Sequence, residues 1–294
     1  MKENTLFTTT DVTDSNRILH TPGSFAKENL LYVQEVGELK SLKSHKSQRE
    51  NLDSYLFMAV LNGEGKITIK DKELGVIKGD CLLINCRESY SHESSDGNPW
   101  ELCWVHFNGK IALPYFELFI NQNEGSNLFR PQTLKFIKNI IENLMNHQAE
   151  KKMESELLSG ELLLKLLNFC ATTVMKRGMD RQGDTKTFSK AVREYINNHY
   201  QNADLLSDLS DKFEMNEEQL DMNFYKIYGI RLIDYILNRR FTAAKELLRF
   251  TIIPINEVIK ASGIGNDELF QKTFRNSENM TAEEYRMKWS QWVK

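Results

Sequence analysis

The chain has few of the features that would assign it to a specialised class. Only four of its 294 residues are cysteines: Cys81, Cys86, Cys103 and Cys170. They form neither a C-x-x-C pair nor a zinc-ligand spacing, which excludes a disulfide scaffold and a cysteine-held zinc. They read instead as buried, reduced thiols. Charge of one sign is also missing: 38 basic residues face 41 acidic ones, a net charge of −3. No excess therefore advertises nucleic acid or a membrane surface. The N-terminus lacks an apolar signal core, and no run reads as long enough to span a bilayer. The expectation is a cytoplasmic protein with no membrane partner. A nucleophile elbow, a phosphate loop and a zinc-protease motif are all absent, so no enzyme activity, catalytic residue or cofactor is expected. With 40% apolar and 27% charged residues the composition is ordinary for a soluble protein, and the length suggests two domains.

What is present is a repeat. Leu206, Leu209, Phe213, Asn216, Leu220 and Phe224 are echoed by Ile255, Val258, Gly263, Asn266, Phe270 and Phe274, at an offset of 49 to 50 residues. Such spacing marks a duplicated supersecondary unit, here two helix-turn-helix patterns. Asn216 followed by Gln219 has capping-box spacing. Asn266 can cap the second unit. Gly263 suits a turn that needs positive φ, and Pro254 suits a helix start. Between the units Tyr235, Ile236, Phe241, Ala244, Leu247 and Leu248 follow helical spacing.

These residues, with Gly229, Asp234, Arg240, Thr251 and the stretch from Thr281 to Arg286, resemble the DNA-binding domain of AraC/XylS-type transcription regulators over roughly 191–289. The resemblance implies two helix-turn-helix lobes joined by one helix, with recognition helices near 217–226 and 266–275. It implies double-stranded DNA as partner, read in the major groove. The candidate DNA-binding residues are Glu217, Glu218, Gln219, Asp221, Met222, Lys226, Arg239, Asn266, Asp267, Glu268, Gln271, Lys272 and Arg275. Arg240 reads as half of a structural ion pair. The chain departs from the family pattern at Ile259, Ile264, Asn279 and Ala282. It departs in charge as well, because residues 186–294 hold 16 basic and 16 acidic side chains. Neutralising phosphates supplies most DNA affinity, so a second reading stays open: a relative with weakened DNA binding that acts through protein contacts. Acids in a helix's first turn also have a local reason, since the macrodipole favours them there by about 0.3–1 kcal/mol each.

The first half reads as β structure. Runs at 30–36, 55–61, 66–70, 81–85 and 101–107 are rich in β-branched or aromatic residues and separated by turn signals. Gly63-x-Gly65, Gly79-Asp80 and the ending from Trp100 to Gly109 resemble the cupin-like barrel commonly fused to such DNA-binding domains. By strand alternation Trp100, Leu102, Trp104 and His106 share one face, as do Tyr55, Phe57, Ala59 and Leu61. The candidate ligand-binding residues are His45, Arg49, Tyr55, His92, Trp100, Trp104 and His106, a mixture suited to a sugar or a small anion. Plain core remains the competing reading of the aromatics. No metal is expected, because a His-x-His pair is missing, although His45, Glu50, His92 and His106 could meet in space.

The expected architecture is α+β. A cupin-like sensor with an N-terminal arm (the stretch 5–24 lacks periodicity) occupies 1–125, a helical pair 126–177, a flexible linker 178–186 and an all-α tandem helix-turn-helix domain 187–294. The second of the paired helices, near 153–176, is apolar nearly all round. It therefore needs several packing partners, within the chain or across a homodimer. The function expected from these parts is that of a ligand-responsive, sequence-specific transcription regulator.

Overall fold

The computed structural model describes every residue except 1–11, 151, 153, 181, 182, 266 and 291–294. It divides into two compact units, with the boundary in the chain between Gly178 and Met179. The first contains β1 (Thr13–Leu19), α1 (Ser24–Asn29), β2 (Tyr32–Ser41), β3 (Lys46–Arg49), β4 (Tyr55–Asn62), β5 (Glu64–Ile69), β6 (Lys72–Ile77), β7 (Cys81–Asn85), β8 (Tyr90–Ser94), β9 (Glu101–Asn108), α2 (Ala112–Gln122), β10 (Leu128–Phe129), α3 (Lys135–Glu150) and α4 (Ser155–Asp180). Two sheets form, ordered β1-β2-β9-β4-β7-β10 and β3-β8-β5-β6. Their ladders are antiparallel throughout. The result is a cupin-like double-sheet barrel.

The six-stranded sheet is covered on both faces, which explains why β4 and β7 are buried along almost their whole length. Leu56, Met58 and Val60 of β4 face the second sheet, packing with Ile67, Ile69, Val76 and Trp100. Tyr55, Phe57 and Ala59 face the other way, into a core built with α2, α3 and α4. Tyr55 is therefore not in the barrel interior, where its strand pattern suggested it would be. Its ring stacks on Phe107 at 5.8 Å, and its Oη accepts from Arg87 Nη1 at 3.1 Å.

Part of the expected arm is a strand. Residues from Thr13 to Leu19 pair along β2, from Thr13↔Ser41 to Leu19↔Glu35, and Ile18 is buried. An edge strand held by main-chain hydrogen bonds needs little hydrophobic periodicity of its own. The stretch 5–11 lies outside the described residues.

Thr133 Oγ1 accepts from the backbone N–H of Lys135 at the start of α3, whose Ile137, Ile140, Ile141 and Leu144 enter the core. Helix α4 adds Leu163, Leu166, Leu167, Cys170 and Val174. Deep between the two helices, Gln148 Nε2 donates to Ser159 Oγ at 2.8 Å. Contrary to the sequence expectation, Ser155–Lys176 is long and apolar enough to cross a membrane by length and composition. Its inner face fills the barrel–helix core, while Leu157 and Leu158 are exposed near its start. Where a linker was read at 178–186, helix runs as far as Asp180 and resumes at Gly183, and 181–182 lie outside the described residues.

The second unit is helical: α5 (Gly183–His199), α6 (Leu205–Phe213), α7 (Glu217–Tyr228), α8 (Leu232–Phe250), α9 (Ile255–Ser262), α10 (Asp267–Glu278) and α11 (Ala282–Trp289). It contains two cores. Val192, Ile196, Leu205, Leu209, Leu220, Phe224, Leu232 and Ile236 form one. Ala244, Leu248, Val258, Ile259, Ile264, Phe270, Phe274, Ala282 and Tyr285 form the other. Helix α8 contributes its first half to one lobe and its second half to the other. Ile259 and Ile264, departures from the family pattern, are buried parts of the second core.

Candidate functional site

The barrel gathers polar groups at one mouth. Strand β9 turns Leu102, Trp104 and His106 inward, β8 contributes Tyr90, and β3 ends at Arg49. Arg49 Nη1 lies 3.3 Å from His106 Nε2, and His106 Nδ1 lies 3.1 Å from Ser54 Oγ. A guanidinium can only donate, so Nε2 must accept and the proton of the neutral ring sits on Nδ1, facing Ser54. Burial, then the charge of Arg49 and then His92, push the His106 pKa down to about 3. Burial followed by Arg49 and His45 pushes His92 down to about 4. Both imidazoles are neutral in the folded protein at neutral pH. A hollow of about 290 Å³ opens beside Arg49, Ser54 and His106, with Leu19, Gln34, Glu35, Leu52 and Asp53 on its rim.

Of the ligand-binding residues expected from sequence, Arg49 and His106 meet at this mouth. His45 and His92 pack edge to face at 6.5 Å, and His92 lies 6.1 Å from Trp100. Trp104 carries the Arg17 guanidinium 5.5 Å above its ring. Tyr55 is on the other face of the sheet. Sequence reasoning missed Ser54, Arg17 and Tyr90. Tyr90 was accessible to it, being two residues from His92 on the same strand. Arg17 was not, since nothing marked its segment as a strand. Among the described residues no three His, Cys, Asp or Glu side chains converge in a way that could hold a metal ion.

The helical unit presents two equivalent edges. Helix α6 ends with Glu214 in the left-handed region, and Asn216 caps α7 in a reciprocal box. Gln219 N–H donates to Asn216 Oδ1 at 2.9 Å, and Asn216 N–H donates to Gln219 Oε1 at 3.2 Å. Helix α9 ends at Gly263, φ +74°, where a Cβ would come within 2.8 Å of Gln201 Cα. Both the conformation and the close approach require glycine there. Asn266, the expected cap of α10, lies outside the described residues.

Glu217, Glu218, Gln219, Met222, Tyr225 and Lys226 are exposed on α7, as are Asp267, Glu268, Leu269, Lys272 and Arg275 on α10. Gln271 is half-buried, its Nε2 3.4 Å from Asp267 Oδ1. Lys226, Lys272 and Arg275 form no ion pair among the described residues.

Two of the expected DNA contacts have other partners. Asp221 Oδ1 accepts from the backbone N–H of Leu232 at 2.7 Å, and its Oδ2 pairs with Arg231 at 2.5 Å. Asp221 thereby caps α8 from the side, which takes it away from a DNA-facing role. Arg239 lies over the Tyr200 ring at 4.2 Å. Arg240, read from sequence as half of an ion pair, donates instead to the backbone carbonyls of Tyr200 and Asn202, both at 2.7 Å.

The arrangement matches two family descriptions, "AraC-like ligand binding domain" over residues 33–167 and "Helix-turn-helix domain" over 209–288. The chain is 23% identical to the Msm operon regulatory protein of Streptococcus mutans, over 84% of this chain and 88% of that one. It is 25% identical to the lactose operon transcription activator of Staphylococcus xylosus, over 77% and 81% of the two chains. The solved C-terminal domain of the two-component response regulator yesN from Fusobacterium nucleatum is 28% identical, covering 34% of this chain and 98% of that one with a TM-score of 0.33. With its ligand-binding barrel and tandem helix-turn-helix lobes both matched, the chain belongs to the AraC-type transcription regulators.

Proposed function

We propose that a small polar effector, a sugar in the simplest case, enters the barrel mouth at Arg49, Ser54 and His106 and alters DNA binding by α7 and α10. The observation that carries the DNA-reading half is positional equivalence. Glu218, Met222 and Tyr225 form an outward ridge on α7, and Glu268, Lys272 and Arg275 form the same ridge on α10. Steps of four and three residues put each set on one helix face. The effector half is supported by the hollow and its polar lining, and a sugar is supported by the name of the lactose operon relative. A homodimer is proposed through the exposed end of α4, with Leu157 and Leu158 at its surface. The proposed compartment is the cytoplasm, as for a protein that works on DNA.

A second reading has its own support. Glu217, Glu218, Asp267 and Glu268 are exposed at the helix ends that would meet base edges, in a segment of zero net charge. Carboxylates there repel phosphates, even though they can accept from cytosine amino groups. On this reading the lobes have turned to protein partners.

Retention of genomic DNA fragments by the full-length chain across a salt series separates the two. Selective retention that weakens steeply with salt is the expected outcome. Failure to retain any fragment at low salt, with the chain folded, would overturn it in favour of the protein-contact reading.

A further inference from the structure

The charges at the barrel mouth do not balance, and the imbalance bears on what the effector is. Two carboxylates stand on the rim, and each already has a guanidinium of its own. Glu35 pairs with Arg17 at 3.4 Å, and Asp53 pairs with Arg87. Arg49 has no carboxylate within ion-pair distance among the described residues. Its hydrogen-bond neighbours among the described residues are neutral groups: the His106 ring, at 3.3 Å, and the Tyr90 hydroxyl. The other titratable groups beside it are Cys86 and His92. Burial holds Cys86 and Tyr90 protonated and His92 deprotonated, so none of them supplies a negative charge.

The mouth therefore presents one uncompensated guanidinium fork to a hollow of about 290 Å³. A half-buried cation without a counter-ion is costly, and a planar fork of donors matches a carboxylate or phosphate in geometry as well as in charge. A neutral sugar would leave the imbalance in place.

We propose that the effector is a small hydroxylated anion, a sugar acid or a sugar phosphate, whose charged group is held by Arg49 beside His106. This rests on the barrel mouth being the effector site. It narrows that reading by requiring charge, and it places the specificity for charge on one residue. Ser54 positions the His106 ring through Nδ1 and so keeps Nε2 turned to Arg49.

The test uses the full-length protein with matched probes: galacturonate against galactose, glucose 6-phosphate against glucose, and inorganic phosphate alone. Thermal shift and tryptophan fluorescence report binding, since Trp104 lies under the neighbouring Arg17. The expected result is that at least one anion binds ten-fold or more tightly than its neutral counterpart. Arg49→Gln should erase that preference, and Arg49→Lys should retain part of it. Galacturonate and glucose 6-phosphate distinguish the carboxylate from the phosphate source. Preference for the neutral sugars, abolished by neither variant, would overturn the requirement for charge while leaving the barrel as the pocket. Indifference of the wild type to every probe, inorganic phosphate included, would overturn the charge inference and count against the pocket. The DNA-retention result would be unaffected in either case.

Discussion

The two helix-turn-helix lobes share an interior and differ in what they present outside. Leu220 and Phe224 of the first lobe occupy the positions of Phe270 and Phe274 in the second, and all four are fully buried. The outward ridges diverge. Where α10 shows Lys272 and Arg275, α7 shows Met222 and Tyr225. A lobe keeps its fold through a handful of apolar contacts and leaves its outer ridge free to change. Lys272 and Arg275 give the second lobe a cationic outer ridge, which on the proposed reading would meet phosphates. The first offers an apolar and an aromatic side chain, suited to thymine methyl groups or to a protein surface. The closing turns differ too. The helix after α7 is capped from the side by Asp221. The helix after α10 caps itself, with Glu284 N–H donating to Thr281 Oγ1 and Thr281 N–H donating to Glu284 Oε2.

If the interiors are equivalent, Phe224→Ala and Phe274→Ala should each destabilise the helical unit by about 3–5 kcal/mol. Chemical denaturation monitored by circular dichroism measures this. A loss confined to one lobe would break the equivalence and show that the other is held by something besides its core.

The difference in outer ridges predicts a different response to salt. Lys272→Ala combined with Arg275→Ala should lower the slope of log K against log salt by about 2 if both side chains meet phosphates. Met222→Ala with Tyr225→Ala should weaken specific binding and leave the slope unchanged. Equal slopes in both double variants would mean that the second lobe does not lie along the DNA backbone.

How much of this could be read in advance depended on burial. The repeat was legible because Leu220, Phe224, Phe270 and Phe274 must be apolar at a fixed spacing to close each lobe. Strands β4, β7 and β9 were legible because both of their faces are covered. The same double coverage hid which face lines the barrel. Alternation separates Tyr55 from Leu56 but does not say which of the two cores receives which. Strands β1, β3 and β8 escaped notice because TDSNRIL, KSQR and YSHES carry polar side chains on half-exposed or polar-lined strands. There the main-chain ladder, not an apolar face, fixes the structure. Arg49 could be named as a candidate, but its lack of a counter-ion among the described residues could not be foreseen. That depends on where Arg17 and Arg87 find their own acids.

The caps allow a finer comparison. Asp221→Ala removes a side-chain acceptor from the start of α8 and should cost about 0.5–2 kcal/mol, the range for losing a helix cap. The equivalent Gln271→Ala should change stability by less than about 0.5 kcal/mol, because α11 supplies its own cap. Similar losses at both sites in urea unfolding would mean that Gln271 holds the second lobe by a contact other than its bond to Asp267.

Another small effect is expected from the residues that end α7 and α10. Gly229 and Asn279 both take the left-handed conformation, at φ +66° and +54°. Asparagine tolerates that region better than other residues with a side chain, but less well than glycine. Asn279→Gly should therefore stabilise the second lobe by less than about 1 kcal/mol, and Gly229→Asn should destabilise the first by a similar amount. A Cβ at Gly229 would meet no neighbour within 4 Å, so the swap tests backbone conformation without a steric contribution. Opposite signs of comparable size would show that the two turns are interchangeable and that the chain has diverged mainly on its outer ridges. Destabilisation by both substitutions would mean that the Asn279 side chain holds the second lobe by a contact that glycine cannot replace.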